Sequence, residues 1–266
     1  MAVTPHGSIG EIGDQIRPCI LSHALTSFRR MLSGQGVDRG SDFVRVVTGA
    51  AHPFGNFVCM ADGLDSSRMK SAIEPLLRCG APSAVMVCGP VGSDSADELR
   101  ANGFELDGGI IAHAFDIDTM TATALSAGYR FARAESTRER DQWADAFARG
   151  YGLPMQAAAP WAAAVGESNR PDDSLQFFWI FKDEQPVCTS ALALSDGVAG
   201  IYAVSTLPSE RRKGLGAFAT AQPLRLARAL GYRVGVLQAT RDGAPVYQRL
   251  GFKEFGEIPL FVRMQG

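Results

Sequence analysis

The sequence predicts an α/β protein built as two domains. Its 266 residues are enough for two hydrophobic cores of ordinary size. Through residue 117, short β-branched and aromatic runs alternate with segments of helical periodicity. From residue 175, three strand-like runs joined by tight turns lead directly into a glycine-rich turn and a helix.

In the first half, Ile16, Ile20, His23, Ala24, Phe28 and Leu32 recur at near-helical spacing, and Gly34-Gln35-Gly36 ends that helix. Residues 43–60 read as two strands around His52-Pro53-Phe54-Gly55, and residues 67–77 as a helix with Met69, Ile73, Leu76 and Leu77 on one face. Residues 84–88 are wholly apolar between Pro82 and Gly89-Pro90, the pattern of a buried strand. Ser95-Ala96-Asp97 starts a helix that closes at Asn102-Gly103, and residues 110–117 give one more strand. Between Asp118 and Tyr129 the chain thins to Thr, Ala, Ser and Gly, which sets the expected boundary between domains 1–127 and 128–266.

The second half opens with a strand at 130–134 and a helix at 137–149 that turns Trp143, Ala146 and Phe147 inward. Residues 154–173, rich in Ala and Pro, form a covering segment. The runs 175–181, 187–194 and 200–206 are joined by Lys182-Asp183-Glu184-Gln185 and Ser195-Asp196-Gly197, both turn formers, so they make an antiparallel meander. A helix at 215–230, a strand at 234–239, a short helix at 246–250 and a strand at 258–263 complete the chain. Pro223 lies inside the first of these helices and should kink it, at about 3 kcal/mol unless packing absorbs the cost.

Composition excludes several classes. With 46% apolar and 20% charged residues the chain is globular, and a net charge of -2 with dispersed basic residues gives no footprint for nucleic acid or an anionic membrane surface. No apolar run approaches the roughly 18 residues a membrane span needs, and the expected location is cytoplasmic. The five cysteines lack CxxC spacing and read as buried free thiols. His6, His23, His52 and His113 are scattered, so no metal site is expected.

The chemistry concentrates at Arg211-Arg212-Lys213-Gly214-Leu215-Gly216-Ala217. Glycines let the backbone approach an anion and aim successive N–H groups at one spot, while the helix N-terminus adds its positive dipole end. Arg211, Arg212 and Lys213 bring charge to the same place, and a pyrophosphate fits it. The turn lacks GK[ST] and follows a meander, not the first strand of a βαβ unit, which argues against both a nucleotide P-loop and a dinucleotide fold.

Arg211-x-x-Gly214-x-Gly216, with the later Tyr247-Gln248-Arg249-Leu250-Gly251-Phe252, makes residues 175–263 resemble the GNAT superfamily of acyl-CoA N-acyltransferases. The resemblance implies acetyl-CoA as co-substrate and no metal. The backbone of Val204, Ser205 and Thr206 would lie beside the acetyl group and pantetheine arm, polarising the thioester carbonyl. Backbone amides from Arg212 through Leu215 and Gly216 to Ala217 would hold the pyrophosphate. Tyr247 matches the family's general acid for the departing thiolate, and Thr240 stands where the family often has an asparagine. A thiol near pH 8.5 and a tyrosine near about 10 make that proton transfer chemically reasonable.

No general base stands out among Glu167, Asp172, Asp173, Glu184 and Asp196, all read as solvated surface, and a water chain could serve. Phe177, Phe178, Trp179 and Phe181 read as core, and Trp161 as the better pocket candidate. Leu99-Arg100-Ala101-Asn102-Gly103-Phe104-Glu105 parallels the stretch beginning at Tyr247, with Leu99 in the tyrosine's place and no RxxGxG turn before it. The first half is therefore expected to be a degenerate copy without a CoA site, giving two GNAT-like domains, each a mixed, mostly antiparallel sheet flanked by helices. The implied reaction is transfer of acetyl from acetyl-CoA to a primary amine of a small molecule or peptide. A silent CoA-binding sensor, a longer acyl group and an oxygen acceptor stay open, as do monomer and homodimer.

Overall fold

The structure is a computed structural model that describes residues 5–121, 123–167 and 173–264. Asp172, one of the candidate bases, lies outside the described residues. The first half runs α1 (Ile9–Ile12), α2 (Ile16–Met31), β1 (Val37–Arg39), β2 (Phe43–Val47), β3 (Asn56–Ala61), α3 (Ser66–Cys79), β4 (Ser83–Cys88), α4 (Ser93–Ala101), β5 (Glu105–Leu106) and β6 (Ile110–Asp116). The second runs β7 (Tyr129–Ala134), α5 (Arg140–Tyr151), α6 (Met155–Ala162), β8 (Leu175–Lys182), β9 (Gln185–Ser195), β10 (Val198–Thr206), α7 (Leu215–Ala229), β11 (Val234–Ala239), α8 (Ala244–Leu250), β12 (Lys253–Ile258) and β13 (Leu260–Arg263).

Local chemistry sets the helix ends. Asp65 caps α3 by accepting from the Arg68 N–H at 2.9 Å, and Gly80 ends it in the left-handed region that glycine adopts without penalty. Ser136 and Glu139 form a capping box ahead of α5. Pro223 does not end α7, which continues through it with the ring buried.

Two sheets result, ordered β1-β2-β3-β4-β13-β5 and β12-β6-β11-β10-β9-β8-β7. The boundary at 127 divides the chain but not the sheets. β6, from the first half, sits between β11 and β12, and β13, from the second, sits between β4 and β5. The reason lies in burial: β6 is covered on both faces from Ile111 to Phe115, and Phe261 of β13 is 2% exposed. Such a strand belongs in the middle of a sheet. Each half ends in helix, edge strand, exchanged strand, so α4-β5-β6 repeats as α8-β12-β13. Between the sheets lies α2, which touches β2, β3 and β4 on one side and β6, β9, β10 and β11 on the other. Its Ile20, Ala24 and Met31 are fully buried in a core that draws on both halves.

Both sheets hold one adjacent parallel pair. In the first, β3 and β4 stay paired for five residues, from Phe57↔Ala84 to Ala61↔Cys88. In the second, β10 and β11 pair only at Ala199↔Gly235 and Gly200↔Val236. That difference positions the site.

Candidate active site

Past Gly200 the strands β10 and β11 part, opening a wedge in the middle of a sheet. A bulge between Tyr202 and Ser205, with Ala203 at φ +50°, bends β10 where the wedge begins. After the bulge the side chains alternate. Ser205 turns toward α5 and donates to the Phe147 carbonyl at 3.0 Å. Val204 and Thr206 face α7, where a Cβ on Gly216 would lie 3.8 Å from each. The wedge-facing backbone of Val204, Ser205 and Thr206 is left without a strand partner, a sheet edge inside the molecule.

Directly beyond lies the turn. Arg212 at φ +63° and Gly214 at φ +79° both occupy the left-handed region, and Phe218 N–H closes the first turn of α7 on the Gly214 carbonyl at 3.0 Å. Gly214 is required by its conformation and not by crowding, since nothing lies within 4 Å of a Cβ built there. Among the described residues, the N–H groups of Arg212, Lys213, Gly214, Leu215, Gly216 and Ala217 meet no hydrogen-bond acceptor. Unpaired N–H groups at a helix N-terminus are what an anion site requires.

The three cations take different roles. Arg211, though exposed, is tied to backbone: its guanidinium donates to the Thr206 carbonyl at 3.2 Å and the Gly150 carbonyl at 2.7 Å, fastening the strand end to α5. Lys213 pairs with Glu210 at 2.9 Å. Arg212 is exposed and makes no ion pair among the described residues, so it is the side chain left to meet a ligand. Glu210, which sequence reasoning missed, is only 7% exposed and accepts from the Tyr129 hydroxyl at 2.5 Å and from Lys182 at 3.2 Å. The Tyr129 bond, then Lys213 and Lys182, hold its carboxyl down to about 2 against the opposing effect of burial. No motif distinguished Glu210 in sequence. The structure makes it the anchor of the turn.

Tyr247 projects from α8, half-buried, with its ring 6.0 Å from Phe252 and 6.2 Å from His113. Burial first, then Tyr151 and Cys188, push its phenol well above the usual range, so it keeps its proton. Its hydroxyl forms no hydrogen bond among the described residues. Thr240 is engaged in starting α8, its Oγ1 accepting from Gly243 N–H at 3.3 Å, which leaves the hydroxyl hydrogen to donate outward. His113 reaches this face from the exchanged strand β6. Its Nδ1 lies 3.0 Å from the Ile111 carbonyl, and its buried Nε2 makes no hydrogen bond, with the Glu254 carboxylate 3.9 Å away.

Residues 139–252 match the model of the acetyltransferase (GNAT) family. That span is a GNAT domain. Over its whole length the chain is similar to a GCN5-related N-acetyltransferase from Kribbella flavida, at 20% identity, covering 96% of this chain and 97% of that one, with a TM-score of 0.60. A GCN5-related N-acetyltransferase from Sphaerobacter thermophilus matches at 15% identity over 100% of this chain and 96% of the other, TM-score 0.60. A tandem GNAT protein from the clavulanic acid biosynthesis pathway matches at 13% identity over 97% of both chains, TM-score 0.52. At these identities the likeness shows the fold, which is two GNAT-like domains. No curated protein matches the chain.

Around the GNAT domain's wedge, several expectations change. Trp161 is no pocket wall: it is 3% exposed, and its Nε1 donates to the Phe54 carbonyl at 3.3 Å, packing the two halves together. Phe177, Phe178, Trp179 and Phe181 are core, as their pattern implied. Glu167 pairs with Arg140 at 3.5 Å, and Glu184 with Arg130 at 3.2 Å. Asp196 sits in the turn at the far end of β9 from the wedge, and Asp173 precedes β8 at that same end of the sheet. Cys188 is buried beside Thr206, 3.2 Å from its Oγ1, and all five cysteines are free. Among the described residues no cluster of metal-binding side chains occurs, and no helix is long and apolar enough to cross a membrane.

Proposed function

We propose that the protein is an N-acetyltransferase that moves acetyl from acetyl-CoA directly to a primary amine within a ternary complex. One observation carries the reading: a parallel strand pair parts after two residues, beside a turn whose six N–H groups lack acceptors. A pantetheine arm is a narrow chain with amides of its own, and the unpaired β10 edge offers it strand-like hydrogen bonds. The turn from Arg212 to Ala217 accepts a pyrophosphate in this reading, with Arg212 as the side-chain charge. The thioester supplies the activated acetyl group, and an N–H of the β10 edge stabilises negative charge developing on its carbonyl oxygen. The amine nitrogen forms the new C–N bond as the C–S bond breaks. Tyr247 gives its proton to the departing sulfur, and the proton lost by the amine leaves through solvent.

The first half supports the reading by contrast. Its parallel pair β3 and β4 never parts, and the Asp65 carboxylate already occupies the N-terminus of α3. It is proposed to be a copy without a CoA site that completes the second sheet through β6.

Calorimetric titration of acetyl-CoA into the wild type and a Gly214→Glu/Gly216→Glu variant tests the site, with thiol release against an amine panel testing the reaction. Binding in the wild type that the variant loses, together with thiol release, is the expected result. Binding without release for any amine would leave a CoA-responsive module, and no binding would remove the reading altogether.

A further inference from the structure

Tyr151 is the last residue of α5, and the glycine before it is pressed against β10. A Cβ on Gly150 would lie 1.9 Å from Ser205 Oγ and 3.0 Å from Thr206 N, so the end of α5 is fixed beside the strand that bounds the wedge. Despite this position Tyr151 is 47% exposed, and Met155, the first residue of α6 beyond the break at Gly152, is 41% exposed. An aromatic ring left open beside the strand that bounds the wedge offers a face for contact.

The surface is also pre-ordered. Tyr151 stacks on Phe54 from the first half, with centroids 6.0 Å apart and planes at 27°, and leans on Phe147 at 5.1 Å. Phe54 rests on Trp161 at 4.4 Å, and Trp161 meets Phe28 edge-on at 5.3 Å. Phe54 is held further by its backbone, its N–H donating to His52 Nδ1 at 3.1 Å. The outermost ring of this ladder is packed on two others before anything binds, which lowers the entropy cost of stacking upon it.

From this geometry we infer that the acyl acceptor is an amine carried on a flat aromatic body that stacks on Tyr151 at the seam between the halves. The inference rests on the acyltransferase reading and names the substrate class of that same site. The charges nearby agree with it. The groups that act on Tyr247 are a phenol and a thiol, neither negative at neutral pH. Of the carboxylates on the neighbouring elements, Glu210 meets three donors, Asp145 pairs with Arg149 at 3.3 Å, Glu139 accepts from the N–H groups of Glu135 and Ser136, and Glu254 accepts from Gln248 at 2.8 Å, while Asp141 and Asp242 meet no partner among the described residues. A polyamine needs carboxylates to hold its charges, whereas this surface offers ring faces.

The test uses the full chain with acetyl-CoA and three amines: 2-phenylethylamine, its saturated analogue 2-cyclohexylethylamine, and spermidine. Thiol release reads turnover, and calorimetry reads acetyl-CoA binding separately. The expected result is kcat/KM about tenfold higher for the aromatic amine than for the saturated one, the upper range of a stacking contact. Tyr151→Ala should erase that ratio by raising KM, with acetyl-CoA affinity unchanged, and Tyr151→Phe should keep it. Turnover of spermidine in preference to the aromatic amine, or an equal response of both ring types, would overturn the inference and leave the acyltransferase reading standing. Loss of acetyl-CoA binding in Tyr151→Ala would place the ring in the CoA site and overturn it too. Failure of the wild type to bind acetyl-CoA would end both readings.

Discussion

The Nδ1 of His23 lies 2.8 Å from the Tyr202 hydroxyl, joining α2 of the first half to β10 just before its bulge. The opposite ring nitrogen fixes the tautomer: Nε2 faces the Ala193 carbonyl at 3.2 Å and must carry hydrogen, so Nδ1 accepts from Tyr202. Ser27 Oγ lies 3.2 Å from the same nitrogen. The imidazole sits on Gly200, where a Cβ would come within 2.1 Å of Cε1. The histidine, the tyrosine and the glycine therefore form one fitted unit at the root of the wedge.

This unit makes stability depend on pH. Burial lowers the His23 pKa from 6.5 to about 4, outweighing the bond to Ala193. Between those values the unfolded chain holds a proton that the folded chain refuses, so stability is whole above pH 6.5 and falls toward pH 4. The full loss is about 3 kcal/mol at 1.4 per pH unit. Calorimetric melting across this range should show the decline, and His23→Gln should flatten it while lowering the plateau. An unchanged slope in the variant would assign the pH response to other groups.

Arg211 and Arg212, adjacent in the sequence, should fail differently. Arg212→Ala removes the exposed charge and is expected to weaken acetyl-CoA binding about tenfold, with reduced salt dependence and an unchanged melting temperature. Arg211→Ala frees the carbonyls of Thr206 and Gly150 and should lower the melting temperature first. Titration and melting of both variants separate the roles, and equal effects on both readouts would contradict the division.

How much of this was legible in sequence follows from which interactions are local. Gly214 and Gly216 announce a turn because backbone conformation is encoded within a few residues, and the meander before them is encoded by strand runs and turn formers. Residues 110–117 and 258–263 read correctly as strands, but an apolar run specifies burial and not which sheet buries it, so the exchange was invisible. β12 was missed because most of its residues are exposed, and β5 because it spans two. The motif arginine Arg211 looked like a phosphate ligand, and only the Gly150 carbonyl, 61 positions away in the chain, shows what it holds.

Tyr247→Phe keeps the ring against Phe252 and His113 and removes only the proton. Burial keeps Tyr247 protonated throughout the working pH range while making it a weaker acid, and its loss should appear in kcat alone. The expected fall is about a hundredfold or more in thiol release, with acetyl-CoA affinity within a few-fold of wild type. An unchanged kcat would make Tyr247 an ordinary packed aromatic.

The strand exchange predicts one folding unit where the sequence suggests two. Phe261, near the C-terminus of the chain, is buried with Val58, Met60, Leu76, Val85, Leu99 and Phe104, all from the first half. Truncating it to alanine should cost about 3–5 kcal/mol. If the halves were independent, calorimetry would show two transitions and only the first-half transition would move. Because each sheet holds a central strand from the other half, and α2 packs against both, loss of the first core removes β6 from the second sheet as well. Phe261→Ala should therefore shift a single transition, and the wedge between β10 and β11 should be lost in that same step, read as loss of acetyl-CoA binding at the melting temperature. A variant that melts in two stages, with binding retained through the first, would show that the exchanged strands do not couple the halves.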